Sequence, residues 1–250
     1  MARMKVTVAY DGTEFAGYQI QPSGRTVQGI IQSVLQKMHK GEPISIAASG
    51  RTDAGVHAVG QVFHFDSDLS IYPDAWCKAL NAMLPNDILI RKVEEVSPSF
   101  HSRFSAVSKE YHYKLLTSKQ ADVFKRNHML HYSYAINVDD IKRAALFFLG
   151  TYDFTSFSSA RSEVADKVRT IYALDIVEEG EQLTFQIKGS GFLYNMVRII
   201  VGTLLEVGSG KRKPEDIQHI LVGKDRSLAR KTAPAHGLYL HQVNYQDKPE

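Results

Sequence analysis

The sequence contains a single cysteine, Cys77, among its 250 residues. One cysteine excludes a disulfide within the chain and any zinc site that is built on cysteines. The ten histidines offer no substitute, since pairs such as His57 and His64 lack a spacing that is typical of metal ligands. We therefore expect no metal, and the cysteine usage indicates a reducing compartment.

Long apolar runs are missing as well. No stretch reaches the ~18 apolar residues of a membrane span, and residues 1–5 do not begin a signal peptide. There is also no nucleotide-binding glycine motif, no low-complexity segment and no Pro/Ser-rich linker. These absences predict a cytoplasmic protein with no membrane anchor and no cofactor.

A strong excess of one charge is absent too, because 30 Lys and Arg nearly balance 27 Asp and Glu, for a net charge of +3. The balance alone does not indicate a nucleic-acid partner. Hydrophobic residues make up 44% of the chain, which excludes a disordered protein. Local basic clusters become candidate phosphate contacts only in an RNA-binding protein. These clusters comprise Lys211, Arg212, Lys213, Lys224, Arg226, Arg230 and Lys231.

Hydrophobic periodicity alternates between the strand and helix patterns along the chain. Apolar residues in 4–10 recur at every second position, whereas those in 27–38 recur at helical spacing. The same criteria predict strands at 44–48, 59–65, 88–93, 109–116, 169–177, 183–187 and 238–245. They predict helices at 73–83, 137–150, 194–207 and 214–222.

Both halves of the chain approximate the order strand–helix–strand–strand–helix–strand, which is that of the ferredoxin-like fold. We predict an α/β (α+β) protein of two ferredoxin-like, RRM-like βαββαβ units with mainly antiparallel sheets that form a central cleft. The N-terminal domain is assigned to residues 1–105 and the C-terminal domain to residues 106–250. The polar, Ser-rich segment 155–166 is interpreted as a mobile loop or lid.

The segment 48–58 is the most distinctive in the chain. It carries one acid, Asp53, beside Arg51, among two glycines and three alanines. Small residues allow a backbone to approach a ligand closely and to present one carboxylate at a fixed position. Asp53 could equally be an ordinary turn residue, with Arg51 facing water.

Arg198 lies within the apolar helical segment 192–201, where an arginine either extends to water or has an anionic partner. It shares a helical stripe with Asn195, Gly202 and Glu206, which could simply be the solvent-facing side of the helix. The residue is nevertheless a candidate for keeping an Asp carboxylate ionised.

Tyr111 alternates with other apolar residues of its strand and could be ordinary packing, or its ring could stack on a flipped pyrimidine. Arg103 is a further basic residue just upstream of it. Leu193 is interpreted as core or pocket wall.

Residues 50–58 resemble the signature of the tRNA pseudouridine synthase A family without a break. Further segments match that family in order along nearly the whole chain, namely 10–19 with 26–28, 103–106 with 109–111, 194–198 and 232–240. One departure is Tyr18, where Trp is common.

The resemblance implies a reaction and roles for particular residues. Asp53 would be the catalytic nucleophile, Arg51 would help extrude the base, Tyr111 would stack on it, and Arg198 would form an ion pair with Asp53. Arg103, Leu193 and Asn195 would bind substrate.

The implied reaction isomerises uridine to pseudouridine at positions 38, 39 and 40 in the tRNA anticodon stem-loop, in a homodimer. Asp53 could attack C6 of the base, attack C1′ of the sugar or abstract a sugar proton, and the sequence does not choose among these.

Three alternatives stay open. A non-catalytic RNA-binding module on ferredoxin-like units would not need Asp53. A carboxylate-dependent nucleosidase or glycosidase normally needs two cooperating acids. An enzyme with the same chemistry at other tRNA positions would differ only in its substrate.

Overall fold

The computed structural model describes residues 1–160 and 164–246. The chain divides into two compact units, one of residues 1–107 together with the chain from Tyr239 onward, the other of residues 108–238. Within the described ranges, no helix has both the length and the apolar character needed to cross a bilayer.

The first unit has the ferredoxin-like order of elements. These are β1 (Ala2–Tyr10), α1 (Val27–Met38), β2 (Ala47–Ala48), β3 (His57–Ser67), α2 (Pro73–Met83) and β4 (Ile88–Val96). The strands pair in the order β4-β1-β3-β2, and all of these pairings are antiparallel. The order of elements along the chain and the antiparallel pairing therefore agree with the prediction for the first half of the chain.

Both helices of the first unit begin where local chemistry favours a helix start. Thr26 accepts a hydrogen bond from the Gly29 N–H and caps α1, whereas α2 begins at Pro73. The buried side of α2 places Trp76 edge-on against Phe65 of β3, with ring centroids 5.2 Å apart. This contact fixes α2 on one face of the sheet.

The second unit repeats the pattern with additions. Its elements are β5 (Ala106–Leu116), β6 (Leu130–His131), α3 (Val138–Leu146), β7 (Gly150–Asp153), β8 (Val168–Glu179), β9 (Gln182–Gly189), α4 (Met196–Gly208), α5 (Asp216–Gly223) and α6 (Arg226–Ala229). The antiparallel strands follow the order β5-β9-β8-β7, and β6 lies parallel to β5. Helix α4 is buried along nearly its whole length and forms the core of the unit.

The final strand, β10 (Leu238–Tyr245), pairs with β3 in parallel, with Tyr239 opposite His57. The compact units group residues 239–246 with residues 1–107, whereas the predicted C-terminal domain, 106–250, contains them. The pairing of β10 with β3 leaves no local sequence signal, because the two strands lie far apart in the sequence, and the domain bounds stay a prediction.

Two further predictions differ in detail. Helix α3 ends at Leu146, because the N–H groups of the next three residues, 147–149, each bond to the carbonyl three residues back. Gly150 then adopts φ +114 and starts the short strand β7. In the proposed lid segment 155–166, Thr155–Phe157 form one 3-10 turn with the Phe157 side chain fully buried. Residues 161–163 of that segment lie outside the described residues.

A buried histidine ties β3 to the chain that follows β4. His64 is 7% exposed, and its Nδ1 accepts a hydrogen bond from the Ser102 N–H at 3.2 Å. Burial, with a contribution from the nearby Arg3, lowers the pKa of His64 from 6.5 to about 4. The native state therefore holds His64 neutral at neutral pH.

This histidine should make stability depend on pH. Because the unfolded chain binds the proton with its ordinary pKa, the contribution is complete above pH 6.5 and is lost as pH falls towards 4. We expect the free energy of unfolding to fall by about 2–3 kcal/mol over that range. Urea titrations at pH 7, 6, 5 and 4 measure it, with His64→Asn as the non-titrating control. Equal pH dependence in both proteins would contradict the assignment.

Candidate active site

The loop that carries Asp53 is held at its start by a buried amide. Gln61 is fully buried on β3 and donates from Nε2 to the Gly50 carbonyl at 3.0 Å. Its Oε1 accepts from the Ser49 hydroxyl at 2.6 Å. Buried polar groups that are fully paired give a segment a single conformation, so the entry into the loop is fixed.

The residue before Asp53 is held by two buried tyrosines. The Thr52 hydroxyl lies 2.8 Å from the Tyr10 hydroxyl, and the Thr52 carbonyl accepts the Tyr18 N–H at 3.0 Å. Burial raises the pKa of Tyr10, which therefore stays protonated at neutral pH. Gly17 adopts φ +113, and a Cβ there would lie 3.0 Å from the Thr52 carbonyl oxygen.

The residues after Asp53 form a tight turn against the end of β1. The Val56 N–H donates to the Asp53 carbonyl at 3.1 Å, and Gly55 supplies a positive φ of 75°. A Cβ on Gly12 would stand only 2.1 Å from the Val56 carbonyl oxygen. The two segments lie this close because residue 12 has no side chain.

His57 completes the support of this turn. It is 1% exposed, its Nδ1 accepts the Gly12 N–H at 3.0 Å, and its ring stacks on Tyr239 with centroids 4.7 Å apart. The same nitrogen lies 3.1 Å from Oδ1 of Asp11. Sequence reasoning considers His57 only as a metal ligand and misses its packing role, as it misses those of Gly12 and Gln61.

Asp53 is itself half-buried, and the segments before and after it, 49–52 and 55–57, are held by buried contacts. Arg51 is exposed two residues away in the same loop. Arg103 is also exposed, and its guanidinium lies 5.7 Å from the ring centre of Phe104, itself 77% exposed. The first unit thus combines a carboxylate on a loop whose backbone is held in place with exposed cations that can bind a polyanion.

Arg198 lies in the second unit, and its guanidinium donates hydrogen bonds from two different nitrogens. Nε donates to the Ala233 carbonyl at 2.7 Å, and Nη1 donates to Oδ1 of Asn195 at 2.9 Å. Asn195 precedes α4 in the left-handed conformation, at φ 62. The main chain adds a third link, because the Ala233 N–H donates to the Arg198 carbonyl at 2.9 Å. The side chain is therefore held in one orientation.

The helical stripe that contains Arg198 is not the solvent-facing side of α4. A Cβ on Gly202 would lie 2.6 Å from the Lys231 carbonyl oxygen, and Glu206 is 7% exposed. Glu206 pairs with Arg212 at 2.5 Å, which removes Arg212 from the candidate phosphate contacts. The stripe packs against residues 229–233, and its polar groups are used within the protein.

The other site candidates of the second unit are mostly buried. Tyr111 is 9% exposed and meets Phe192 edge-to-face, with centroids 5.1 Å apart. Leu193 is 6% exposed, and its carbonyl accepts the Met196 N–H at 3.0 Å at the start of α4. The second unit thus carries Tyr111, Leu193, Asn195 and Arg198, whereas Arg51, Asp53 and Arg103 belong to the first.

The chain is similar in sequence to known proteins over almost its whole length. The family model described as tRNA pseudouridine synthase matches residues 6–105 and 144–246. A tRNA pseudouridine synthase A from Geobacillus sp. (strain WCH70) is 56% identical over 245 residues, which cover 98% of this chain and 99% of the relative. A tRNA pseudouridine synthase A 1 from Bacillus cereus is 54% identical over 99% of this chain and 100% of its own length.

Among solved structures, the archaeal box H/ACA sRNP Nop10-Cbf5 complex gives a TM-score of 0.36 at 13% identity, over 81% of this chain and 44% of that chain. That likeness is too weak to carry an argument. The family match and the full-length relatives are sufficient without it: the chain belongs to the tRNA pseudouridine synthase family and is an isomerase that converts uridine to pseudouridine.

Proposed function

We propose that the chain modifies uridines at positions 38, 39 and 40 of the tRNA anticodon stem-loop, with Asp53 as the nucleophile. The observation that carries the proposal is the fixed position of Asp53. Thr52 is held through Tyr10 and Tyr18, and the turn that follows is held through Gly12. A reacting group that is held in place before substrate arrives lowers the entropic part of the barrier.

The chemistry requires a carboxylate of this kind and no redox step. The N-glycosidic bond of uridine breaks, the uracil turns and a bond forms between C5 and C1′. C5 then loses its hydrogen as a proton, and N1 gains one, so that the product is an isomer of the substrate. Asp53 takes part by attack on C6, by attack on C1′ or by removing a sugar proton. All three routes demand an ionised carboxylate within contact distance of the nucleotide.

Substrate access requires the base to leave the helix. C1′ and C5 cannot be approached while the uridine is stacked in a stem, so we propose that the nucleotide is flipped out. Arg51, exposed beside Asp53, is proposed to help extrude the base, and Tyr111 to stack on it. Arg103, Leu193 and Asn195 are proposed to bind the nucleotide and its flanking phosphates.

Arg198 is proposed as the cation that pairs with Asp53, a role implied by the family resemblance. Its braced guanidinium supports the proposal, because a fixed bidentate donor suits a carboxylate better than a mobile ammonium. The resemblance also leads us to propose a homodimer and a cytoplasmic location.

The nucleophile is tested by Asp53→Asn, which keeps the shape of the side chain and removes its charge. We expect pseudouridine formation in single-turnover assays to fall at least about 1,000-fold, because a neutral amide is neither a nucleophile nor a base. The dissociation constant for tRNA should change less than about 2-fold. Asp68→Asn, at a carboxylate that is 72% exposed, is the matched control. Normal turnover by Asp53→Asn would exclude Asp53 as the nucleophile.

The role of the turn after Asp53 in positioning this residue is tested by Gly12→Ala. The added methyl group would lie 2.1 Å from the Val56 carbonyl oxygen, so the turn after Asp53 must move. A displacement of this kind should lower kcat about 100-fold and leave tRNA affinity nearly unchanged.

The control for Gly12→Ala is Gly180→Ala, in the β8–β9 hairpin, where a Cβ meets nothing within 4 Å but φ is +61. It should cost some stability because of the strained φ and leave kcat unchanged. An equal loss of kcat in the two variants would show that general destabilisation, and not the turn, governs the rate.

A further inference from the structure

The connection between β5 and β6, residues 117–129, is a fixed element of the second unit. The Thr117 N–H donates to the Glu181 carbonyl at 2.8 Å, and the Tyr132 N–H donates to the Leu116 carbonyl at 2.8 Å. The His131 ring bonds to the Ser118 carbonyl at 2.9 Å. Both ends of the connection are therefore attached to the sheet.

Its outer part consists of successive hydrogen-bonded turns. Oδ1 of Asp122 accepts the Phe124 N–H at 2.9 Å, and the Asp122 carbonyl accepts the Lys125 N–H at 3.1 Å. The Lys125 carbonyl then accepts the Met129 N–H at 3.0 Å. The backbone of Phe124 thus has a defined position.

The side chain of Phe124 nevertheless projects into water. It is 87% exposed, and its neighbour Val123 is 62% exposed. A large apolar side chain gains nothing for folding when it stays in water, so an ordered turn that presents one suits a partner. A ring that is exposed to this extent is accessible for stacking on a planar group.

The same turns carry three exposed basic residues, Lys119, Lys125 and Arg126. Nζ of Lys125 lies 3.5 Å from Oδ2 of the half-buried Asp122, and Nη1 of Arg126 donates to the Val123 carbonyl, so both cations belong to the ordered turn and still face water. The turns line an open groove of about 700 Å³ together with Leu116 and Glu181. An aromatic ring among cations is the combination that binds single-stranded nucleic acid.

The same turns are connected to the braced arginine of α4. The His236 ring hydrogen-bonds to the backbone of Met129, and burial lowers the pKa of His236. Two residues before it, the Pro234 carbonyl accepts the Tyr113 hydroxyl at 2.9 Å, and Ala233 is held by Arg198. The exposed turns therefore continue the polar network that fixes Arg198.

We propose that residues 119–126 form an RNA-binding surface, in which Phe124 stacks on an unpaired base of the tRNA. Lys119, Lys125 and Arg126 bind the phosphates that flank this base. The proposal rests on tRNA being the substrate. A second copy of this chain fits less well, because two exposed apolar side chains are far from the roughly 800 Å² per partner that a stable protein interface buries.

Stacking is tested directly with Phe124→Trp. Trp76 is the chain's one tryptophan and is fully buried, so it gives a constant background. Added tRNA should quench the fluorescence of the new indole, because a base in stacking contact quenches it. Heparin, a polyanion without bases, should not. Equal response to both, or none to tRNA at concentrations that saturate binding, would overturn the stacking role.

The contribution of residues 119–126 to tRNA binding is measured with Phe124→Ala and with the double variant Lys125→Ala/Arg126→Ala. Phe124→Ala should weaken tRNA binding about 5- to 50-fold and raise KM with kcat unchanged. The double variant should reduce the salt dependence of binding, with a slope smaller by about 0.7–0.9 for each phosphate that the protein no longer neutralises. Tyr72→Ala, at an aromatic that is 85% exposed in the first unit, is the control and should bind tRNA normally.

Unchanged tRNA affinity of Phe124→Ala would overturn the proposal. If the sedimentation of Phe124→Ala changed at the same time, the surface would be assigned to self-association. Failure of wild type to modify positions 38–40 would instead count against the proposed function, and the binding measurements would still decide the role of this surface.

Discussion

The absence of a side chain at residue 12 is the constraint on which the candidate site depends. The end of β1 can lie against the turn after Asp53 only because Gly12 leaves room for the Val56 carbonyl. That approach in turn brings the Gly12 N–H to His57, which stacks on the last strand of the unit through Tyr239. One close backbone approach thus connects the chain after the first strand, the loop of Asp53 and the strand β10.

The two units use different means to fix one charged group each. In the first unit the loop of Asp53 is held by its backbone, through Thr52, Gly12 and a buried amide. In the second unit the Arg198 side chain is itself held, by a carbonyl and an asparagine oxygen. Both arrangements restrict motion before substrate binds, as expected for an enzyme that gains rate from positioning.

Much of the fold can be predicted from local pattern. Helix α2 begins at a proline and ends at Met83 as predicted, and β10 has its predicted bounds. Strand β7 is not predicted, because it has four residues, none of them buried, and so lacks the apolar alternation that indicates a strand. The pairing of β10 with β3 has no local signal, because it joins segments that lie far apart in the sequence.

The candidate site, like the fold, is partly predictable from the sequence. Asp53 stands out in the sequence as a lone acid among small residues, and the family resemblance adds its role. Its supports could not be recognised from the sequence, because Gln61 and His57 look like ordinary strand residues until tertiary contacts are known. Gly12 does lie in a segment that matches the family, so a close backbone approach there was a detectable signal.

The central claim is that the position of the Asp53 carboxylate, and not only its charge, makes the protein an isomerase. Asp53→Glu tests it, because the variant keeps the charge and moves it by about 1.5 Å, one carbon–carbon bond. The measurement is single-turnover release of tritium from tRNA that carries [5-³H]uridine. We predict that release slows at least about 100-fold while tRNA affinity is preserved. Release at the wild-type rate would show that a carboxylate anywhere near this position suffices, and would contradict the account.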